Sequence, residues 1–476
     1  QGAPRPAQVS AASTATASGQ MVRDHPMLGG RRLKAAFDPI SEEPPTQDEL
    51  WYSEKLFRYM QEACPQETEA EQQVRSHIML VLPQIFKEWV YSVCLSKGLP
   101  PEVAEKAGGK VFTSGSYRLG INEKSMDIDT ICVAPRHVTR EDFFSSLKVI
   151  LEDHDSVENL SAIEGATVPI MTFDFNGINI DLLFACLPLD SVPDAFDVNN
   201  DEVLRGVDQG TEKSLNGPRV TEMICKLVPN FDSSEEVQRK FLLVVRCVRL
   251  WAKRRGLYSN KMGYLGGVNC NLLVTFLCQL YPQAAAARLL ERFFFILRDW
   301  KWPTPIMLTP QYDGGLGLEM WDPQFGGNRF HAMPILTPAY PSMNSSMSVS
   351  RGSLEVMRAE MAVAHDKVRA ALERGGEGWD ELFAESDFVV AHAKYLAIEI
   401  YAAELPAHEH ASVLQSWTGF VESQLRKLCD QPCLARLQTQ CAPAVPTVRA
   451  AQLSWAHYKR AGPGLRCSSS SFGLAR

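Results

Sequence analysis

Residues 111–134 read VFTSGSYRLGINEKSMDIDTICVA. The pattern is a strand, a Gly-rich turn and a second strand. If MDIDTICVA is extended, Asp127 and Asp129 share one face, with Cα atoms about 6.5–7 Å apart. Ile128 then points into a core. Two carboxylates that close repel each other unless a cation lies between them. Residues 168–186, VPIMTFDFNGINIDLLFAC, hold two more β-type runs separated by Asn176-Gly177. Asn-Gly is the favoured pair for a type I′ hairpin turn. In the second run Ile178, Ile180, Leu182 and Phe184 alternate on one face, and Asp181 stands on the other. If this strand lies beside the first, three carboxylates converge. Three hard oxygen ligands suit magnesium. Two such ions about 3.5–4 Å apart serve in-line phosphoryl or nucleotidyl transfer. The turn Ser114-Gly115-Ser116 precedes the acids. Gly lets a backbone approach an anion, and Ser116 offers a hydroxyl to a phosphate. The competing reading, that Asp127 and Asp129 are merely exposed strand residues, leaves the third acid unexplained.

The chain has 476 residues and 53.0 kDa. That length accommodates two to four domains. Its 45% hydrophobic and 22% charged residues exclude a collagen, a coiled coil and a largely disordered chain. No run approaches the roughly 18 consecutive apolar residues of a membrane helix. FLLVV at 241–245 and FFFIL at 293–297 are short and flanked by charge. The expectation is a soluble chain with no membrane contact. A net charge of −8 argues against a protein that simply coats nucleic acid. The charge is uneven, however. Val237 to Leu290 holds nine Lys or Arg and no acid, and six more basic residues follow Asp430 with no acid. Both blocks are candidate phosphate-facing surfaces, with solvated helix faces as the plainer reading. The 12 cysteines are scattered in apolar contexts, as expected of buried reduced thiols. Cys429, Cys433 and Cys441 lack the fourth ligand and the tight repeat of a zinc site.

Residues 1–20 are rich in Ala, Ser, Thr, Gln, Gly and Pro and predict disorder. Up to Lys34 five basic residues face one acid, Asp24, a balance that also suits an organellar transit peptide. A capping-type start at Thr46 precedes a helix, and a second helix spans about 69–94. Another begins near Arg140. The chain turns helical again from about Arg219. Residues 303–345 read as a long irregular segment, and helical patterns return at 353–373 and 409–429.

The segment GGKVFTSGSYRLGINEKSMDIDTICVAPRHVTREDFF resembles the catalytic core of eukaryotic nuclear poly(A) polymerases, within the polymerase-β-like nucleotidyltransferases. The resemblance continues through SLNGPRVTEMICKLVPN, RLWAKRRGLYSNKMGYLGGV, QLYP, WKWPTPIML, MWDP and HAMPILTPAYP, over about residues 37–430. It implies an α+β multidomain enzyme. The parts are a disordered segment 1–36, a first piece of the helical middle domain at 37–75, and the nucleotidyltransferase domain at 76–190. The rest of the helical middle domain follows at 191–352. An RRM-like RNA-binding domain at 353–445 and a disordered basic tail at 446–476 complete the chain. GWDELFAESDFVVAHAKYLAIEI and SWTGFVESQLRKL resemble the opening of that RNA-binding domain; its later strands are not recognisable, as in a truncated domain. The implied activity is template-independent addition of AMP from ATP to an RNA 3′ end in mRNA polyadenylation. The implied cofactor is Mg²⁺, two ions, with Mn²⁺ as a substitute. RNA, ATP and cleavage and polyadenylation factors are the implied partners, acting on a monomer in the nucleus.

Asp127, Asp129 and Asp181 match the family's metal-binding triad, and Gly115 and Ser116 its phosphate-contacting turn. Asn216, Tyr258, Asn260, Gly267 and Val268 match nucleotide-contacting positions, and Lys253 matches a basic residue of the same wall. The chain departs from the family at several of these places. Ser114 replaces a Phe that lies near the nucleotide, and Arg249 replaces a Lys that contacts the triphosphate. Glu123 stands where Thr is common. Asn269-Cys270 replaces Ser-Trp, and Ser233–Lys240 look inserted. These changes put nucleotide affinity and base selectivity in question, while the intact triad preserves the chemistry. Two alternatives stand beside this reading. One is a terminal nucleotidyltransferase with another base preference. The other is a catalytically silent RNA-binding relative, which would be free to lose the acids.

Overall fold

The computed structural model describes residues 27–387 except 122, 125 and 167, together with 395–398, 417–421 and 472–475. A hairpin of β1 (Met27–Leu28) and β2 (Arg31–Arg32) comes first. Residues 27–36 were expected to be disordered, and here the structure departs from the sequence pattern. Leu33 is buried in the helical core, and Gly29, at φ 57°, lies where a Cβ would sit 2.2 Å from the Asn199 carbonyl oxygen. One buried leucine and one close backbone contact are too little pattern to read from sequence.

Helix α1 (Gln47–Ala63) starts at Thr46 as expected. The Glu49 N–H donates to the Thr46 hydroxyl, and the Thr46 N–H donates to the Glu49 carboxylate. Helix α2 (Glu69–Ser96) repeats this capping box with Thr68 and Glu71. Next come α3 (Pro101–Ala107), β3 (Lys110–Thr113), the short α4 (Gly115–Leu119) and β4 (Ile128–Ala134). A helical stretch runs from α5 (Arg140–Asp142) through a π-helical turn at Phe143–Leu147 to α6 (Lys148–Glu152). Then β5 (Val157–Ile163), β6 (Ile170–Phe175) and β7 (Ile178–Cys186) complete a sheet in the order β3-β4-β7-β6-β5. β4 and β7 are parallel, and the other neighbours are antiparallel. Asn176 and Gly177 join β6 to β7 with φ 49° and 76°, the positive pair that a type I′ turn requires.

Both faces of the central strands are covered. Ile128 and Cys132 of β4 and Ile180, Leu182 and Phe184 of β7 pack on α2 and the α5–α6 stretch. Ile131, Val133 and Ala185 point the other way, toward Leu215, Val192 and Leu204. Helix α2 is long and apolar enough, by length and composition, to cross a membrane. Its apolar side instead fills this core through Ile78, Leu82, Phe86, Trp89 and Val90.

The helical part comprises α7 (Gln209–Leu227), α8 (Glu235–Arg254), α9 (Gly267–Leu280), α10 (Ala286–Asp299), α11 (Arg351–Glu373) and α12 (Trp379–Leu382). α1 packs on α10 and α8, so the N-terminal piece joins this part as expected. α7 begins well before Arg219. Gly210, Gly217 and Pro218 are weak helix formers that hide its first turns, and the Asp208 side chain caps them. The residues read as an insertion, Ser233–Lys240, end a 3₁₀ turn (Phe231–Ser233), cap α8 at Ser234 and form its first turns. Residues 303–345 are irregular, as expected, apart from one 3₁₀ turn at Gly326–Phe330.

Helix α11 was read as the start of the RNA-binding domain. It packs against α10, and Met357, Met361, Ala364 and Val368 enter the helical core. Of the remaining 388–445, two short pieces are described: β8 (Tyr395–Ile398), which pairs antiparallel with β9 (Phe472–Ala475), and a helical turn at 417–421. Most of the expected RRM-like domain, most of the 409–429 helix, the cysteines at 429, 433 and 441, and the tail at 446–471 lie outside the described residues, as do residues 1–26. Cys132, Cys247, Cys270 and Cys278 are buried free thiols, in line with the composition.

Trp89 ties α2 to the sheet. Its ring centroid lies 6.3 Å from that of Phe184, and its Nε1–H donates to Ser146 Oγ at 2.8 Å. Trp89→Ala is expected to cost about 3–5 kcal/mol of stability, the usual range for a buried Trp. Urea unfolding measures it, and a loss under 1 kcal/mol would show that this contact does not support the sheet.

Candidate active site

The two acid-bearing strands lie side by side, and their register sets Asp129 directly opposite Asp181. Asp127 stands just before β4. Carboxylate oxygens of the three residues lie within 4.8 Å of one another. Asp127 is exposed, whereas Asp129 and Asp181 are partly buried. Burial, then the charges of Asp127 and Asp181, pushes the Asp129 carboxyl up to about 7; Arg249 opposes the shift. Burial and the charge of Asp127 push Asp181 up to about 6. Three hard oxygens that resist joint ionisation are the donor set a divalent cation relieves. The residues present therefore fit such an ion.

The approach to the triad is fixed from behind. Arg75 of α2 is buried, pairs with Glu67 and donates to the Met126 carbonyl, one residue before Asp127. The Ser114 N–H donates to the Asp129 carbonyl at 2.9 Å. Gly115 follows at φ 59°, and a Cβ there would sit 2.2 Å from Asp129 Oδ2. Only Gly satisfies both the backbone and the carboxylate. Its N–H donates to Thr221 Oγ1 on α7 at 3.1 Å.

The acid-free block forms the facing wall, but its cations sit at two depths. Arg249 is 1% exposed. Its Nη1 donates to Ser116 Oγ at 2.9 Å and its Nη2 to Asn271 Oδ1 at 3.0 Å. It thus holds Ser116 from the protein side. Lys253 is 44% exposed at its side chain and donates to Glu123 Oε2 at 2.8 Å. Its Nζ lies 5.4 Å from the centroid of the Tyr258 ring. Burial pushes the Tyr258 hydroxyl up to about 12. A Cβ on Gly267 would sit 3.0 Å from both Tyr258 OH and Arg249 Nη2, so these three lie together at the start of α9. Asn260 is exposed, and its Oδ1 accepts from the buried Ser348 hydroxyl. Val268 is 42% exposed. Asn269 caps α9 by accepting from the Gly266 N–H at 2.8 Å, and its Nδ2 donates to Ser345 Oγ. Cys270 is fully buried. Asn216 of α7 keeps a buried Oδ1 without a hydrogen-bond partner. Next to it, Gly217 faces Ser114: a Cβ on Gly217 would lie 3.2 Å from Ser114 Oγ. Ser114 therefore packs on α7.

Residues 37–228 match the family model described as the poly(A) polymerase nucleotidyltransferase domain, and residues 240–385 match the poly(A) polymerase central domain. The chain belongs to the poly(A) polymerase family. Nuclear poly(A) polymerase 1 of Arabidopsis thaliana is 42% identical over 393 residues, 82% of this chain and 53% of its own length. The poly(A) polymerase of Dictyostelium discoideum is 39% identical over 82% of this chain and 47% of its own length. The chain thus spans about half the length of the curated relatives it matches. A solved structure of the uridylyl transferase Cid1 is 14% identical, with a TM-score of 0.48 over 70% of this chain and 98% of its own. The first family domain ends after α7 and the second takes in α11 and α12, where the helical core takes them in too.

Within this family framework, Arg75, Gly217, Thr221, Asn271 and Ser348 escaped the sequence reading. Each acts by holding another residue. A buried Arg, a helical Asn or a loop Ser carries no local pattern that announces its partner.

The raised carboxyls make a testable sign. The folded value for Asp129, about 7, lies above its ordinary 3.8. Its contribution to stability is therefore fully present below about pH 4 and lost as pH rises through about 7. In metal-free protein, Asp129→Asn is expected to raise Tm at pH 8, to raise it clearly less at pH 5 and to change it little at pH 4. Adding Mg²⁺ should raise the wild-type Tm at pH 8 and the variant's less. Equal shifts at all three pH values in a calorimetric scan would show that Asp129 is not electrostatically strained.

Proposed function

We propose that the chain is a template-independent poly(A) polymerase that adds AMP from ATP to RNA 3′ hydroxyls in mRNA polyadenylation. The observation that carries this is the convergence of Asp127, Asp129 and Asp181 within 4.8 Å, beside the Gly115-Ser116 turn. Membership of the family and the names of the relatives support it. In this reading the triad holds two magnesium ions, which when bound supply positive charge at the attacking and leaving oxygens. The RNA 3′ oxygen bonds to the α-phosphorus of ATP as the bond to pyrophosphate breaks.

The chain's own side chains set the scene for that exchange. Ser116, kept in place by Arg249, and the hydroxyl of Tyr258 offer hydrogen bonds to the triphosphate. Lys253 supplies the exposed cation of the wall. Asn216 has an unused buried acceptor for a sugar hydroxyl. Asn260 and Val268, beside Gly267, face the base, one with an amide and one with an apolar surface. With Ser348 donating to the Asn260 oxygen, the amide NH₂ is left to meet an acceptor on the base edge. Ser114 and Glu123 act on the pocket by packing and by charge. The names of the nuclear relatives support a nuclear site for this reaction, and cleavage and polyadenylation factors are the partners proposed with it.

Incubating the protein with a short RNA, Mg²⁺ and each single nucleoside triphosphate tests the reading. Extension with ATP is expected to exceed that with the other three; preference for another nucleotide would reassign the enzyme, and none at all would reject catalysis. Replacing Asp129 by Ala should lower the extension rate on the order of a thousandfold or more, with circular dichroism unchanged. Near-normal extension by that variant would overturn the metal reading. Gly115→Ala should abolish extension as well, since the new methyl collides with the Asp129 carboxylate.

A further inference from the structure

A buried negative charge in a wall built to face a polyanion calls for a physical account. Glu123 is 4% exposed. Its Oε2 accepts from Lys253, and its Oε1 is buried with no hydrogen-bond partner. Its backbone bridges to Gln66, in the link between α1 and α2. Cys64, Tyr258 and Cys270 all feel its charge, which places it among the groups of the nucleotide wall. The cations facing the same region are Lys253, Arg249 and Arg246. Arg249 is engaged with Ser116 and Asn271, and Arg246 donates to the Cys64 carbonyl. Lys253 is thus the counter-ion of Glu123 and, at the same time, the exposed one of these three cations.

We infer that Glu123 sets the affinity for the nucleoside triphosphate by competing with it for Lys253. The inference rests on the reading of this cleft as a nucleotide site. An ammonium has three donors, so Lys253 can touch a phosphate without leaving Glu123. The carboxylate nevertheless cancels most of the field that Lys253 would project into the cleft. Full transfer of Lys253 to a phosphate would leave a buried carboxylate unpaired, which is strongly unfavourable. The pair therefore persists, and the triphosphate gains less from Lys253 than from a free lysine. The effect falls on ground-state binding and leaves the triad untouched, so it belongs in KM and not in kcat.

The test is steady-state extension kinetics and Mg·ATP binding by calorimetry on wild type, Glu123→Gln, Lys253→Met and the double variant. Glu123→Gln keeps the shape and a hydrogen-bonding group while removing the charge. It should lower KM and Kd for ATP roughly twofold to fivefold, the span of a partly exposed ion pair, with kcat within about twofold. Lys253→Met should raise both constants. The gain from Glu123→Gln should shrink in the Lys253→Met background, because the competition has lost its object. An unchanged or raised KM in Glu123→Gln, with Tm preserved, overturns the inference and makes Glu123 a residue that positions Lys253. If Glu123→Gln loses Tm, Glu123→Met provides the second reading: it removes the same charge without burying a polar group and should also lower KM, and an unchanged or raised KM rejects the inference. Wild-type protein that binds no Mg·ATP would reject the nucleotide site itself, an outcome distinct from binding that the variants leave unchanged.

Discussion

The parallel pairing of β4 with β7 is the constraint on which the site depends. That register sets Asp129 against Asp181 and leaves Asp127 at the strand's entry. A slip of one residue would turn every side chain of a strand to the opposite face and disperse the acids. Because α2 covers one face of the pair and Leu215 of α7 the other, the strands are buried on both sides. The same burial desolvates Asp129 and Asp181, raising the price of their charge. The fold thus stores at one spot the electrostatic demand that a divalent cation answers. Gly115 is the complement of this demand, since any side chain there would occupy the space of the Asp129 carboxylate.

Helix α7 joins the five-stranded sheet to the helical part. It packs on β7, α4 and α9. Thr221 accepts from the Gly115 N–H, Gly217 leaves room for Ser114, and Asn216 carries the unpaired acceptor. Arg219, on the same helix, donates to the Val198 and Tyr340 carbonyls and pairs with Asp201. One helix therefore fixes the Gly115-Ser116 turn on one side and the irregular 303–345 segment on the other. The opposite wall is layered by depth. Arg249 stiffens Ser116 from inside the protein, and Lys253 remains at the surface with Glu123 beneath it. A rigid planar fork suits the first role and a flexible ammonium the second.

Much of this was legible beforehand. The Asn176-Gly177 hairpin, the Thr46 capping box, the alternation that isolates Asp181 and the acid-free wall are local patterns with local causes. The segment 27–36 and the first turns of α7 were not. The former is held by Leu33 and by backbone contact at Gly29, and the latter is helical despite Gly210, Gly217 and Pro218. In both cases tertiary packing overrides weak intrinsic preference. The place of α11 was misread for the opposite reason: its amphipathic pattern announces a helix but not the surface it joins.

The sequence by itself determined which residues make up the acidic cluster and its turn. Three aspartates in period-two strands beside a Gly-Ser turn converge because their spacing follows from strand geometry. Tertiary structure decided how the supporting charges are spent. Arg249 and Lys253 lie four residues apart on one helix and read alike as cations. One is buried against Ser116 and Asn271, and the other is paired with a carboxylate 130 positions away in the chain. Such partners are chosen by packing between elements, and burial then fixes how strongly each charge is felt. Neither quantity is a property of a local segment, so neither could be read along the chain.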